Sequence, residues 1–219
     1  MGDVEPTMTS RRRVTQERLL DAAFEVLARE GIDGASVEAI CEAAGFSRGA
    51  FYSNFESKTE LFLAVIEREH RARLEHVRHA VVAFGDAMPA DQGQLSAEQI
   101  TEIVELVLAQ QPAERDWYLV SISMQFELLA LREPEVALRF LEHEQQLNHE
   151  LAAVLEDLAA TLGQRFVIDA RDATALIMAG YRSTAKEALL RGAPDHGVEV
   201  RRLLSRWLPA VVSRLTEPQ

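Results

Sequence analysis

The sequence predicts an all-α protein, on three observations. Strand-like runs are nearly absent: only Phe166-Val167-Ile168 has β character, and three residues are not expected to support a sheet. Elsewhere apolar residues recur at helical spacing, as in Leu20, Ala23, Phe24 and Leu27 at i, i+3, i+4 and i+7. Glycines, prolines and capping residues cut these stretches into helix-sized pieces. The expected architecture is an N-terminal three-helix helix-turn-helix unit followed by a larger helical C-terminal domain.

The elements follow in chain order. Thr15 is placed to cap the first helix and Gly31 to end it, with Glu17, Asp21 and Glu25 on its polar face. Two short pieces come next, about 37–44 and 48–53, with Ser36 and Ser47 where N-caps belong. Gly45 between them suits the positive φ of a tight turn, so the stretch reads as helix-turn-helix. Ser57-Lys58-Thr59-Glu60 is a capping box that opens a long helix to about Phe84. Gly85, Pro89 and Gly93 mark a linker that ends near Leu95. Ser96-x-x-Gln99 starts a helix to about 111, and Pro112 and Pro134 bound the next, about 114–132. Helices at about 135–162, 170–191 and 197–214 complete the chain, separated by Gly163 and by Gly192 and Pro194. The domain division expected from this is an arm and helix-turn-helix domain at 1–57, a connecting helix at 58–84, and a ligand-binding and dimerisation domain at 85–219.

Composition narrows the function. The 219 residues are 47% apolar and 26% charged, with a net charge of −12. That balance opposes a general polyanion binder. No apolar run approaches a membrane span, and Arg11, Arg12 and Arg13 lead into an amphipathic stretch rather than a signal sequence. The single cysteine, Cys41, excludes an internal disulfide and a cysteine metal cage. The expected location is the cytoplasm. Residues 1–79 carry 11 basic and 14 acidic side chains, and the remainder 12 and 21, so the acidic excess lies mostly in the second part.

Within this acidic chain, residues 43–55 hold one arginine and no acid. A helix that enters a DNA groove must not bring carboxylates against phosphates. Gly49 and Ala50 are small enough for close approach to base edges, and Arg48 can donate a pair of hydrogen bonds to a guanine edge. Tyr52, Ser47 and Lys58 can hold phosphates. Phe46, Phe51 and Phe55 are expected to pack inward. Arg11–Arg13 form either an arm reaching the minor groove or a solvated terminus.

These residues resemble the DNA-binding segment of the TetR/AcrR family of transcriptional regulators, over about residues 15–63. The likeness runs through Leu20-Asp21-Ala22-Ala23, Gly31, Ser36-Val37-Glu38-Ala39-Ile40, Ala44-Gly45-Phe46-Ser47, Gly49 to Phe55, Lys58 and Leu61. Phe46, Asn54 and Cys41 depart from the family's usual smaller aliphatic residue, His and Ala. The resemblance implies a homodimer that binds an operator through its N-terminal helices and a small molecule through its C-terminal domain. It also implies repression of genes and release on ligand binding. The candidate DNA-contact residues are Ser36, Ser47, Arg48, Gly49, Ala50, Tyr52, Asn54 and Lys58.

The C-terminal part is less informative. Ala173, Leu176, Ile177, Gly180, Tyr181, Thr184 and Ala188 form one stripe, and Ala175, Met178, Ala179, Ala185 and Leu189 a second. A helix apolar on two sides is buried on two sides. Ala173, Ile177, Gly180 and Thr184, with Leu204, Trp207 and Val211 of the last helix, are therefore candidates for a dimer interface; the other reading is one protomer's own core. Trp117, Met124, Phe126, Phe140, Met178 and Tyr181 are candidates for an apolar ligand pocket, with simple core packing as the other reading.

Enzyme chemistry finds no support. His143-Glu144 begins like H-E-x-x-H, but position 147 is Leu and the next histidine is His149. His76 and His79 stand at i, i+3 on the long fourth helix with no cysteine nearby and on an expected solvated face, and no nucleophile elbow or phosphate loop occurs. No catalytic residue, metal or cofactor is expected. The function expected is a ligand-responsive DNA-binding repressor that meets a palindromic operator as a homodimer. The alternatives are an activator, a regulator that needs its ligand to bind DNA, and a helical module for a small molecule or protein without DNA binding.

Overall fold

The computed structural model describes residues 5–87, 96–109, 113–192 and 195–219. Among them lie ten helices and one two-stranded ribbon. In order these are α1 (Glu5–Gly34), α2 (Val37–Ala44), α3 (Arg48–Tyr52), α4 (Lys58–Ala87), α5 (Ala97–Ala109), α6 (Ala113–Ala130), α7 (Pro134–Thr161), β1 (Gln164–Phe166), α8 (Ala170–Leu190), α9 (His196–Leu204), α10 (Leu208–Leu215) and β2 (Thr216–Pro218). The protein is all-α, with an N-terminal helix-turn-helix and a helical C-terminal part.

The chain divides into two compact units. The first takes the residues up to Glu69 and also Ser121–Phe140. The second takes His70–Val120 and Leu141–Gln219. The boundaries fall inside α4, α6 and α7.

In the first unit the apolar stripe of α1 is buried at Leu20, Ala23, Phe24 and Leu27, as its spacing requires. Ile40, Phe51, Leu61, Phe62, Ile66, Ile122 and Phe126 are also fully enclosed. Burying side chains of this size supplies most of a unit's stability. Arg68 of α4 ties itself to α1: Nη1 lies 2.8 Å from Asp21 and 3.3 Å from Glu17, while Nη2 reaches Glu69 at 2.9 Å.

The second unit has two apolar clusters. One joins Leu74, Val81 and Phe84 of α4 to Leu151, Val154 and Leu158 of α7. The other joins Ala185 and Ala188 of α8 to Val200, Leu203 and Leu204 of α9 and Leu208.

Several expectations are corrected. The first helix begins ten residues before Thr15, whose hydroxyl donates back to the Arg11 carbonyl at 3.0 Å instead of capping an N-terminus. Arg11–Arg13 are accordingly exposed residues of a helix, not of a disordered terminus. Gly85 lies inside α4, where a Cβ would meet Thr161 Cγ2 at 3.1 Å; the linker residues 88–95, and Pro112 and Pro194, lie outside the described residues. The last helix is two helices. Pro209 lacks the N–H that a continuous helix would bond to the Ser205 carbonyl, so the chain turns at 205–207 and restarts.

A sheet does form, though a minimal one. Gln164, Arg165 and Phe166 pair antiparallel with Pro218, Glu217 and Thr216. The partner strand is the chain's last residues, too short and polar to read as a strand. The ribbon fastens the C-terminus to the turn after α7, where Gly163 takes φ 67° and its carbonyl accepts from Gln219 N–H at 2.9 Å.

Candidate nucleic-acid interface

The helix-turn-helix is built by local capping. Ser36 Oγ accepts from the Ala39 N–H at 3.1 Å and Ser47 Oγ from the Ala50 N–H at 3.2 Å, which start α2 and α3. Gly45 closes α2 at φ 69°, a conformation that a Cβ disfavours, and Phe46 N–H returns to the Cys41 carbonyl at 2.9 Å. Arg18 of α1 completes the turn: Nη2 donates to the Ala44 carbonyl at 2.9 Å, and its guanidinium lies 4.7 Å from the Phe46 ring centre. Arg18 carries no sequence signal beyond a basic residue on a polar helix face. Its importance comes from where α2 ends.

Phe51 and Phe55 are buried and 6.1 Å apart between ring centres. Phe46 is corrected: it is only partly buried, under Arg18. Burial also pushes up the pKa of the Cys41 thiol, with Glu38 adding to the rise, so it stays protonated.

With the aromatic residues turned inward, α3 presents a polar surface. Arg48, Gly49 and Tyr52 are exposed, Tyr52 by 51%. A Cβ on Gly49 would meet nothing nearer than Ser47 Oγ at 3.7 Å, so the fold itself does not demand glycine there. Arg48 is held on this face by Glu38 of α2, with Nη1 to Oε1 at 2.6 Å, and its guanidinium lies 6.0 Å from the Tyr52 ring centre. Tyr52 first and Glu38 second raise the Arg48 pKa, so its charge is permanent. The acid-free stretch of sequence therefore has a carboxylate beside it in space.

Two candidate contact residues also bond within the unit. Lys58 Nζ donates to the Ala35 carbonyl at 3.0 Å and the Ile32 carbonyl at 3.3 Å. These carbonyls lie beside the break that Gly31 makes in α1 at φ 71° and ψ 177°. Gln125 fills the same break, accepting from Ile32 N–H at 3.0 Å. Asn54 Nδ2 donates to the Ala50 carbonyl at 2.8 Å and so closes α3, while its Oδ1 is buried without a partner.

The residues assigned to a pocket are divided between the two units. Phe126 and Phe140 pair at 5.4 Å in the first unit, where Met124 also lies. Trp117, Met178 and Tyr181 belong to the second. There Trp117 stacks on His196 at 5.5 Å, Met178 packs on the α4–α7 cluster, and Arg73 Nη2 donates to the Tyr181 hydroxyl at 2.5 Å. The residues assigned to a dimer interface pack as follows within the chain. Ala173, Thr184 and Leu204 are buried within the single chain, and Ile177 and Trp207 pack on its own α8–α9 cluster. Gly180 faces the Trp207 ring of its own chain. Val211 is partly buried.

His143 sits in none of the metal patterns weighed for it. Its Nε2 lies 2.9 Å from His70 Nδ1, with the rings stacked. Burial first, then His143 and Arg73, lower the His70 pKa to about 3, so it is neutral near pH 7. Burial and Arg71 lower that of His143 as well. Among the described residues no group of three or more His, Cys, Asp or Glu could hold a metal ion. Among them, too, no helix is long and apolar enough to cross a membrane.

A short capped helix set on a second by a glycine turn, with an arginine and a tyrosine exposed on it, defines a helix-turn-helix DNA-binding protein. Comparison with known proteins gives the family. The family model described as bacterial regulatory proteins, tetR family, matches residues 19–65. The HTH-type transcriptional repressor AcnR of Corynebacterium diphtheriae is 30% identical over 158 residues, covering 72% of this chain and 69% of AcnR. The HTH-type transcriptional regulator SrpR of Pseudomonas putida is 33% identical over 94 residues, 38% of this chain and 44% of SrpR. In structure, the transcriptional regulator FadR from Bacillus subtilis, solved in complex with stearoyl-CoA, superposes with a TM-score of 0.63 at 18% identity, over 91% of this chain and 98% of FadR. The chain belongs to the TetR family of transcriptional regulators, and proteins of this family are not enzymes.

Proposed function

We propose that the chain is a repressor that binds a palindromic operator as a homodimer and leaves it when a small molecule binds its C-terminal part. The observation that carries the DNA-reading part is the surface of α3, where Arg48 and Tyr52 are exposed around a glycine that the fold does not require. In this reading Arg48 reads a base edge, and Ser36, Ser47 and Tyr52 hold phosphates. Gly49 and Ala50 set the approach distance, and Asn54 keeps α3 in shape. The domain division at 57 and 84 is part of the same reading, with α4 linking DNA binding to the ligand. Repression is supported by the name that AcnR carries.

Dimerisation is assigned to the outer face of α8. There Ala175, Leu176 and Ala179 are exposed, Leu176 by 56%; Ala175 and Ala179 belong to the second of the two apolar stripes and Leu176 to the first. An apolar helix face left uncovered by its own chain suits a second copy. Ligand would act by population shift, binding the conformation whose two recognition helices are mis-spaced for the operator.

The test is selection from a random duplex pool by the purified protein, with Tyr52→Ala as control. An enriched inverted repeat, weakened in the control, is expected, with half-sites about one DNA turn, ~34 Å, or a multiple of it apart. No enrichment by the wild-type protein, with or without cell extract added, would refute the reading.

A further inference from the structure

We infer that Glu38 is a specificity-determining residue: its carboxylate fixes the Arg48 guanidinium so that one edge faces the bases. The inference rests on Arg48 as the base-reading residue proposed above. Glu38 is the second residue of α2 and Arg48 the first of α3, and the Gly45 turn brings them together. Their ion pair is short, 2.6 Å, yet both side chains are about 60% exposed (61% and 60%). A pair so exposed contributes little to folding. The joint between α2 and α3 is made by other bonds: Phe46 N–H to Cys41 O at 2.9 Å, Gly45 N–H to Glu42 O at 3.1 Å, and Arg18 to Ala44 O at 2.9 Å.

The pair does suit recognition. A free arginine has many rotamers and loses that freedom when it meets a base. Glu38 takes Nη1 from one side, and the Tyr52 ring lies under the guanidinium on another. Held by Glu38 and Tyr52, the guanidinium keeps further N–H donors for the bases, and a guanine O6/N7 pair accepts two of them in parallel. Glu38 also opposes the other use of Arg48. A carboxylate this close repels phosphates, so it penalises duplexes where Arg48 can only neutralise backbone. Base preference is thereby separated from general affinity.

The experiment compares wild type, Arg48→Ala, Glu38→Gln, Glu38→Asp and the Arg48→Ala/Glu38→Gln double variant by the same duplex selection, with salt titrations on a random duplex. Arg48→Ala should flatten one position per half-site. Glu38→Gln should flatten that same position while binding random duplex more tightly. Its log affinity should fall more steeply with log salt, by about 0.9 per phosphate newly neutralised. Glu38→Asp should keep part of the preference, and the double variant should be no flatter than Arg48→Ala alone. Three outcomes overturn the inference: an unchanged preference in Glu38→Gln, a change at a different position, or a uniform loss of binding that tracks a lowered melting temperature. The last would mean that Glu38 serves only the start of α2. If Arg48→Ala flattens no position, the base-reading role of Arg48 fails first, and the inference falls with it.

Discussion

Replacing Gly180 by alanine tests the packing of α8 most directly. A Cβ at 180 would lie 2.8 Å from Trp207 Cζ2 and 3.0 Å from Cζ3, with Cη2 nearer still. Carbon atoms in good contact sit at about 3.5–4.0 Å, so the ring must move by close to ~1 Å. It is not free to do so. Trp207 Nε1 donates to Thr184 Oγ1 at 3.1 Å, and the indole packs on the buried cluster of Ala185, Ala188, Leu203 and Leu204. Overpacking of this kind costs about 1–3 kcal/mol, and loss of the indole hydrogen bond about 1 kcal/mol more. Alanine gains back about 1 kcal/mol over glycine inside a helix. The net loss is about 1–3 kcal/mol, or roughly 2–12 °C in melting temperature for a chain of this size. Urea and thermal unfolding of Gly180→Ala measure it, and adding Trp207→Leu should remove the penalty that alanine imposes. A Gly180→Ala protein as stable as wild type, or more stable by about 1 kcal/mol, would refute the reasoning, because that is how an unopposed helical glycine behaves. If that protein had also lost its dimer in sedimentation, Gly180 would belong to an interface after all.

Lys58 and His70 give two further predictions. Lys58→Met keeps the aliphatic stem but leaves the Ile32 and Ala35 carbonyls short of a donor, so it should cost about 1–3 kcal/mol of stability as well as weakening all DNA sequences alike. Full stability in urea with uniformly weaker DNA binding would instead assign the ammonium to phosphate alone. His70 is buried as a neutral base with a pKa of about 3, below the 6.5 of a free histidine. Its contribution is therefore fully present above pH 6.5 and declines as pH falls towards 3, by roughly 2 kcal/mol at pH 5. Urea midpoints between pH 7 and 5 should fall in wild type and fall less in His70→Gln; parallel curves would show that His70 does not stay neutral.

Much of the helix-turn-helix was legible because its signals are local. Ser36, Gly45 and Ser47 act on backbone groups within four residues of themselves, so spacing alone locates both short helices. The apolar stripe of α1 needed only its period. The sequence by itself determined the fold class, the capped turn and the buried Phe51 and Phe55.

Tertiary structure decided what distant residues do to one another. The Glu38 carboxylate meets Arg48 across a turn, although the residues around Arg48 in sequence hold no acid. Lys58 and Gln125 meet the break at Gly31 from 26 and 93 residues beyond Ile32, and no local pattern records that encounter. The stripe of α8 was visible, but a stripe says only that a face is covered. Whether a second chain or Trp207 covers it depends on where α9 and α10 return, and Pro209 sets that by breaking the last helix. Periodicity reports a side chain's direction from its own axis; the partner it meets is fixed only when the axes themselves are placed.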